Sequence, residues 1–488
     1  MPLQPPEALL ELYNGDSVPF SQTFLQNIRT YNSSLAFASM NCTITQNLLQ
    51  QVPYCFRIHG QVYYRVASLH PPPERNPRFC QIYIFDTERA SLEREEQARH
   101  YNLNPHLLML LHNVLREHHP LASMFYTMGQ VEELENQRAA NANIIPRQVF
   151  MHIRTDRADD QRRYNAAAAN EIAAVFTSED GTPPSCLKYE IVIHPRPTTD
   201  SRGNLRHNEL QCIQRMNPNC DPMIYPLLFP YGEQGWRNDI RYVGHGNNRP
   251  YVSPMRFYSY KLQVRNNVFS TLHHGRKLFH QYIVDAYTKI EGYRLDWIRN
   301  QQAALRVDRY QGLMDYVERS DQEIDRTGRR FILPSTFIGS PRAMQQNFQD
   351  AIAIVRELGK PDLFITITCN PKWPEITSSL LPGQTPGDRP DIICRVFSLK
   401  LKQIMDDITK GKIFGDVSGF VYTIEFQKRG LPHAHLLLIL HQSCKIREPE
   451  DVDRIVCAEI PSPLTHPNLY EAVASHMMHG PCGGDFPN

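Results

Sequence analysis

The chain has 488 residues, of which 41% are apolar and 21% are charged. This balance is typical of a folded protein with a sizeable core, and the length allows about two to four domains. The formal net charge of +1 excludes a chain that is basic throughout, so any surface for nucleic acid must be local. No apolar run approaches the roughly 20 residues of a membrane span.

The cysteines and the N-terminus indicate the compartment. The eleven cysteines are scattered without a CxxC pair, which disfavours a zinc ribbon and is typical of reduced thiols. The first residues have neither the basic nor the apolar segment of a signal peptide. The sequence therefore predicts a nuclear or cytoplasmic protein that is neither secreted nor membrane-bound.

Residues 1–215 read as an accessory region of mixed helices and strands. A short helix is followed by two predicted strands, at 56–64 and 81–85, whose residues alternate and are β-branched or aromatic. Asn104 and Pro105 are residues that commonly begin a helix, as N-cap and first helical residue.

The second part of this region is less regular. Residues 130–164 are charged and rich in asparagine, which favours a surface hairpin or a mobile insert. The patterns then predict a short helix at 167–176 and a strand at 189–194. Proline and other turn formers are dense in 216–254, but apolar residues lie between them, so we expect an ordered connection there.

From residue 255 the pattern becomes helical, and Gly275 and Gly292 are expected to divide 255–306 into two or three helices. The buried face of these helices is predicted to include Leu278, Tyr282, Ala286 and Ile290. The following elements are two helices and three strands, predicted at 340–359, 362–368, 390–410, 421–427 and 433–440. The last two strands form a hairpin, so the order predicts an α+β fold with an antiparallel sheet.

His433 and His435 are separated by one residue in this last strand, so their side chains share one face. Glu425 and Gln427 share a face of the preceding strand by the same alternation. Two imidazoles with a carboxylate or an amide can hold Mg²⁺ or Mn²⁺ and leave positions open for a phosphate. The alternative is that the two histidines are a chance pair with partly solvated rings and that Glu425 and Gln427 are ordinary edge-strand polar residues.

Two segments around these residues resemble a known family. The sequence KRGLPHAH, at 428–435, resembles the HUH motif of rolling-circle replication initiators in the form found in Helitron transposons. DLFITITCNPKWPEI, at 362–376, looks like the first motif of the same initiators. Five further segments match the N-terminal helicase-like region of Helitron proteins: YPLLFPYGE at 225–233, YSYKLQVR at 258–265, DAYTKIE at 285–291, LPSTF at 333–337 and HGPCG at 479–483.

The resemblance implies an HUH-type antiparallel sheet flanked by helices, in which the two histidines and a third polar residue hold a divalent cation. It makes His433 and His435 metal ligands, with Glu425 as third ligand and Gln427 as the alternative. In the family, the cation polarises a phosphate of single-stranded DNA, which a tyrosine attacks. Lys428 and Arg429, at the turn, are placed to contact phosphates.

The first motif implies further contacts with single-stranded DNA. Thr366, Thr368 and Asn370 are placed to position DNA or to support the metal strand, and packing in the sheet and in the turn is the alternative. Trp373 can stack on a base, or it can anchor the turn in the core.

Two motifs of a full Helitron protein are not found in the chain. The paired tyrosines of the family follow the HGPCG segment, and Tyr470 precedes it without matching their pattern, so no catalytic residue is assigned. No GxxxxGK[ST] segment occurs, so no ATP site is predicted.

The sequence thus predicts a Helitron-derived initiator (Rep) fragment that binds single-stranded DNA and Mg²⁺ or Mn²⁺, with impaired strand nicking. An active metal-dependent endonuclease and a non-catalytic, domesticated interaction protein are the alternatives. The predicted divisions are the accessory region 1–215, the connection 216–254, the helicase-like HUH domain 255–441 and a C-terminal extension 442–488.

Overall fold

The structure is a computed structural model, and its described residues divide into two compact units. They are 4–16, 19–45, 56–67, 69–71, 76–154, 173–178, 189–193, 211–242, 250–301, 333–426, 430–456 and 459–478. The first unit comprises the described residues up to Tyr293, and the second comprises those from Arg294 onward. The division falls inside the predicted segment 255–441, because residues 255–293 pack with the first unit.

The first unit combines helices with two small sheets. Its helices are α1 (Glu7–Asn14), α2 (Phe20–Gln26), α3 (Ile28–Leu35), α4 (Thr87–Tyr101), α5 (Pro105–His118), α6 (Pro120–Ala142), α7 (Cys220–Ile224), α8 (Pro254–Lys261), α9 (Thr271–His274) and most of α10 (Arg276–Asn300). Its strands are β1 (Ser39–Thr45), β2 (Arg57–Val66), β3 (Gln148–Arg154), β4 (Ala173–Ser178), β5 (Tyr189–Ile193) and β6 (Gln211–Ile213). Both sheets are antiparallel, with orders β1-β2-β6 and β4-β3-β5.

Local sequence signals explain several helix boundaries. The Asn104 side chain accepts a hydrogen bond from the backbone N–H of Leu107, and Pro105 begins α5, as predicted. Gly275 separates α9 from α10, but α10 continues through Gly292. The side chain of Arg215 lies where a Cβ atom at Gly292 would be, so this glycine accommodates a neighbour rather than ending the helix.

Three sequence-based assignments in this unit are wrong. The segment predicted as a strand at 81–85 lies in a 3₁₀ helix (Phe79–Ile82) and the turn after it. The Gln81 side chain accepts a hydrogen bond from the backbone N–H of Arg78, and successive side chains are buried rather than alternating. Residues 130–142 belong to α6 rather than to a hairpin or insert. The end of the predicted helix at 167–176 is strand β4, which pairs with β3; the start of that segment lies outside the described residues.

The second unit contains the sheet that carries the histidines. Its elements in chain order are α11 (Pro341–Leu358), β7 (Leu363–Thr368), α12 (Pro374–Thr377), α13 (Pro390–Thr409), β8 (Val417–Phe426), β9 (Pro432–Leu440), α14 (Pro449–Ile455) and α15 (Pro467–His476). The Ser340 side chain accepts from the backbone N–H of Ala343 and Pro341 begins α11, as predicted. The sheet is antiparallel with the order β7-β9-β8, so the histidine strand is central.

The two faces of this sheet have different environments. On one face, Ala434, Leu436 and Leu438 of β9 form a core with apolar side chains of α13. On the other face, α11 approaches the end of β8 at Gly419, where Leu358 and Ile354 occupy the space beside the glycine. The histidine end of that second face carries exposed polar side chains.

The prediction of an α+β fold is confirmed, since helices and antiparallel sheets occur in both units. Among the described residues, no helix has both the length and the apolar composition that crossing a membrane requires.

Candidate functional site

The strand register brings predicted site residues from three strands to one face of the second unit's sheet. Thr368 of β7 lies opposite His433 of β9, and Thr366 lies opposite His435. On the other side of β9, Glu425 of β8 lies opposite His433. Directly opposed residues of antiparallel strands point to the same face. We call this set of five side chains the histidine face.

Hydrogen bonds orient both imidazole rings on the histidine face. The Nδ1 atom of His433 lies 3.1 Å from Thr368 Oγ1, and that of His435 lies 3.2 Å from Thr366 Oγ1. Each hydroxyl can accept a hydrogen bond from an Nδ1–H group, and in that tautomer the lone pair of Nε2 is available. Second partners of this kind fix the orientation and tautomer of metal-binding histidines.

The two Nε2 atoms have different surroundings. His435 Nε2 lies 2.9 Å from Glu425 Oε1. His433 Nε2 is buried and has no hydrogen-bond partner within the described residues. A buried polar atom without a partner is costly, and such atoms in folded proteins call for an explanation such as a ligand or an ion.

Burial and charge favour a neutral ring at His433. Only 5% of the residue is exposed. Burial lowers the pKa of His433 below its usual value, the proximity of His435 lowers it further, and Glu425 partly opposes this effect. A neutral imidazole is the form that binds a metal.

The histidine face has nitrogen and oxygen atoms of the kind that bind metals, but they are not arranged as a complete set of ligands. Within the described ranges, no three His, Cys, Asp or Glu side chains stand close enough together to hold a metal ion. On this face, Glu425 is hydrogen-bonded to His435 Nε2, an atom that a metal would need. The Glu425 side chain is 59% exposed, so rotation away from His435 is sterically open.

The remaining predicted site residues lie at the end of β7 or outside the described residues. Asn370 caps the turn after β7 by accepting a hydrogen bond from the backbone N–H of Lys372 at 2.9 Å. Trp373 is partly buried and packs against the core of the second unit, with the Lys400 ammonium 5.0 Å from its ring. Gln427, Lys428 and Arg429 lie outside the described residues, as does the 479–483 motif.

Two residues of this face were not singled out by the sequence analysis. Phe364 of β7 points to the same side as Thr366, and its ring is stacked on His435 with 5.7 Å between centroids and an angle of 5° between planes. Thr423 of β8 lies opposite His435. Alternation along β7 and β8 would have placed both residues beside the histidines.

Comparison with known proteins gives the family relationship. Residues 257–438 match the family model described as the Helitron helicase-like domain at N-terminus. This segment of the chain is Helitron-like. No curated protein matches the chain. The matched region includes α10, β7, β8 and most of β9, with all five residues of the histidine face.

The Helitron-like motifs of the first unit meet in a buried ionic cluster. Lys289 Nζ lies 2.7 Å from Asp221 Oδ1 and 3.3 Å from Asp285 Oδ2, and all three side chains are almost completely buried. Tyrosine hydroxyls complete the cluster: Tyr64 and Tyr225 donate to Asp285, and Tyr258 and Tyr282 donate to Asp221. We call these seven residues the lysine cluster.

Charge pairing keeps Lys289 protonated in the lysine cluster. Burial alone would disfavour its charge, but Asp221 and Asp285 together raise the pKa of Lys289 well above its usual value. Burial also raises the pKa of Tyr225 and of Tyr258, which keeps both hydroxyls as donors. Every polar side chain of the cluster thus has a charged or hydrogen-bonded partner within it.

Proposed function

We propose that this Helitron-related chain binds a divalent metal and single-stranded DNA at the histidine face, as the initiator (Rep) part of a rolling-circle transposition protein of the HUH type. The observation that carries the proposal is the buried, unpartnered Nε2 atom of His433 beside a second imidazole whose orientation is also held by a threonine.

The protein groups have separate roles in this proposal. The hydroxyls of Thr366 and Thr368 accept hydrogen bonds from the Nδ1–H groups, so that His433 and His435 present the lone pairs of Nε2 to the metal. Glu425 turns from its hydrogen bond with His435 to become the third ligand. The metal, Mg²⁺ or Mn²⁺, would supply a Lewis acid that polarises a phosphate oxygen.

The DNA strand is proposed to lie along the open end of the histidine face. Thr366, Thr368 and Glu425 are exposed there, whereas α11 covers the other end of β8 at Gly419. The side chain of Asn370 shapes the turn that borders the face. Hydroxyl and amide groups of this kind can also contact phosphates of the strand.

The proposal assigns binding rather than nicking to the face. Covalent strand cleavage requires a nucleophile, and in β7, β8 and β9 no tyrosine points to the histidine side, since Tyr422 alternates to the opposite face. We therefore propose that nicking by the described residues is impaired.

Metal binding is tested by titrating Mn²⁺ into the full chain by calorimetry. We expect the double substitution His433→Ala, His435→Ala to lower the affinity at least 100-fold, because it removes both imidazole ligands. His441→Ala is the matched control, since His441 directly follows the same strand and its Nδ1 atom is hydrogen-bonded to the nearby Ser443. Equal affinity of the wild type and the double variant, with the fold verified by circular dichroism, would refute the site.

DNA binding and cleavage are tested together with labelled single-stranded and double-stranded oligonucleotides in Mn²⁺. The proposal expects tighter binding of the single strand and no cleaved product. Metal binding without any preference for single strands would favour a non-catalytic interaction protein instead. A covalent protein–DNA adduct that Tyr470→Phe abolishes would show an active endonuclease and overturn the assignment of impaired nicking.

A further inference from the structure

Phe364 is a large apolar side chain in a polar, exposed place. In β7 the inward residues Leu363, Ile365 and Ile367 pack against the core of the second unit. The outward residues are Phe364, Thr366 and Thr368, and Phe364 remains 66% exposed. Burial of an aromatic side chain is strongly favourable, so this ring forgoes a stabilisation that the inward positions of the same strand provide.

The ring of Phe364 extends the histidine face along the sheet. It stacks on the His435 imidazole at 5.7 Å, with the two planes only 5° apart. His435 Nδ1 is held at the same time by Thr366. The phenyl ring is therefore held in one orientation next to a proposed metal ligand, with most of its surface open to solvent.

We propose that Phe364 is a stacking platform for one base of the single strand, the base next to the phosphate held at His433 and His435. This inference rests on the proposed function. A planar, exposed aromatic ring beside a phosphate site is the arrangement by which proteins bind single-stranded nucleic acid without reading its sequence, because every base has a flat face. The ligand class is accordingly single-stranded DNA of any sequence.

The neighbouring aromatic residue is less suited to the same role. Trp373 is partly buried, packs against the core and already has the Lys400 ammonium near its ring. Phe364 has its contact with His435 and a largely solvent-exposed surface. The geometry thus selects Phe364 as the stacking residue.

The first test compares the affinity of the full chain and its variants for a labelled single-stranded oligonucleotide in Mn²⁺. Phe364→Leu removes the flat ring but keeps an apolar side chain, and we expect binding to weaken about 5- to 150-fold. Phe364→Tyr keeps the ring and should bind like the wild type. Phe348→Leu is the matched control, because Phe348 on α11 is 65% exposed and does not belong to the histidine face.

A second measurement separates stacking from a role in holding His435. Abasic sites are introduced one at a time along the oligonucleotide. In the wild type, an abasic site at one position should weaken binding of the oligonucleotide. In Phe364→Leu, an abasic site at that position should cause no further loss of affinity. A purely structural role would weaken binding and Mn²⁺ affinity together and would leave the abasic penalty unchanged.

The outcomes distinguish the two proposals. If the wild type binds single strands with the metal and Phe364→Leu binds equally well, the stacking role is wrong and the proposed function stands. If the wild type shows no binding of single-stranded DNA, the proposed function fails and the stacking role fails with it. An abasic penalty that is identical in the wild type and in Phe364→Leu also overturns the stacking role.

Discussion

At the scale of single residues, the threonines of β7 determine what the histidines can do. A ring that rotates freely presents either nitrogen, whereas His433 and His435 each have Nδ1 directed at a hydroxyl. If the proposed metal binds here, its binding free energy does not have to include the cost of ordering two rings. We therefore expect Thr366 and Thr368 to contribute to the affinity of the proposed metal site through the orientation of the two rings.

Replacement of both threonines by valine should weaken Mn²⁺ binding about 10- to 100-fold, since outer partners of metal-binding histidines have effects of this size. Valine keeps the branched shape and the β propensity of the strand, so the sheet should remain intact. The affinity is measured by calorimetric titration of the full chain.

Thr423→Val provides the control for that pair. Thr423 is on the same face, opposite His435, but its side chain makes no hydrogen bond within the described part of the chain. Its substitution should leave the Mn²⁺ affinity unchanged. Equal losses from Thr423→Val and from the β7 pair would mean that general polarity of the face, rather than orientation of the rings, determines affinity.

At the scale of secondary-structure elements, close approaches decide where glycine is required. The helix α6 runs for 23 residues and has Gly129 in its interior, where glycine is unfavourable by about 1 kcal/mol relative to alanine. A Cβ atom at Gly129 would lie 2.7 Å from the carbonyl oxygen of Ile84. The backbone of the preceding segment thus occupies the space of a side chain.

Gly129→Ala should therefore destabilise the first unit by about 1–3 kcal/mol, the usual cost of overpacking, despite the better helix propensity of alanine. Gln130→Ala on the exposed side of the same helix should be neutral or slightly stabilising. Chemical denaturation followed by circular dichroism compares the two variants. A stabilising Gly129→Ala would mean that the close approach is not maintained in solution.

The difference between local and long-range contacts explains which elements could be predicted from the sequence. The side chains of Asn104 and Ser340 each accept a hydrogen bond from a backbone N–H group three residues further along the chain. The starts of α5 and α11 could therefore be predicted from short segments of sequence. The segment 81–85 looked like a strand because its residues favour strands. It pairs with no strand among the described residues, and its side chains are buried instead. The segment 173–178 became a strand through pairing with β3, which no local pattern reveals.

At the scale of the whole molecule, distance along the sequence decides which of the two clusters of polar residues could be predicted. The histidine face was predictable because its alternation lies within adjacent strands and because only five residues of sequence separate β8 from β9. The lysine cluster was not, since Tyr64, Asp221 and Lys289 are far apart in sequence and only the fold of the first unit brings them together. The segment 285–291, which resembles a family motif, contributes Asp285 and Lys289 to the buried ion pairs of the first unit.

The role of the lysine cluster leads to a prediction for the first unit. Lys289→Met removes the cation that lies between Asp221 and Asp285 and leaves two carboxylates buried beside each other. Breaking a buried ion pair in this way costs about 3–5 kcal/mol. Hydrogen exchange measured by mass spectrometry should show lost protection in peptides from β2, α7 and α10, the elements that the cluster joins.

A triple variant separates charge from packing in this prediction. Adding Asp221→Asn and Asp285→Asn to Lys289→Met removes the uncompensated charges, and most of the protection should return, because neutral amides can still bond to the surrounding tyrosines. If the triple variant is as unprotected as Lys289→Met, the packing of the lysine side chain, and not its charge, holds these elements together. Full protection in Lys289→Met alone would instead mean that the tyrosine hydroxyls suffice to hold the two carboxylates.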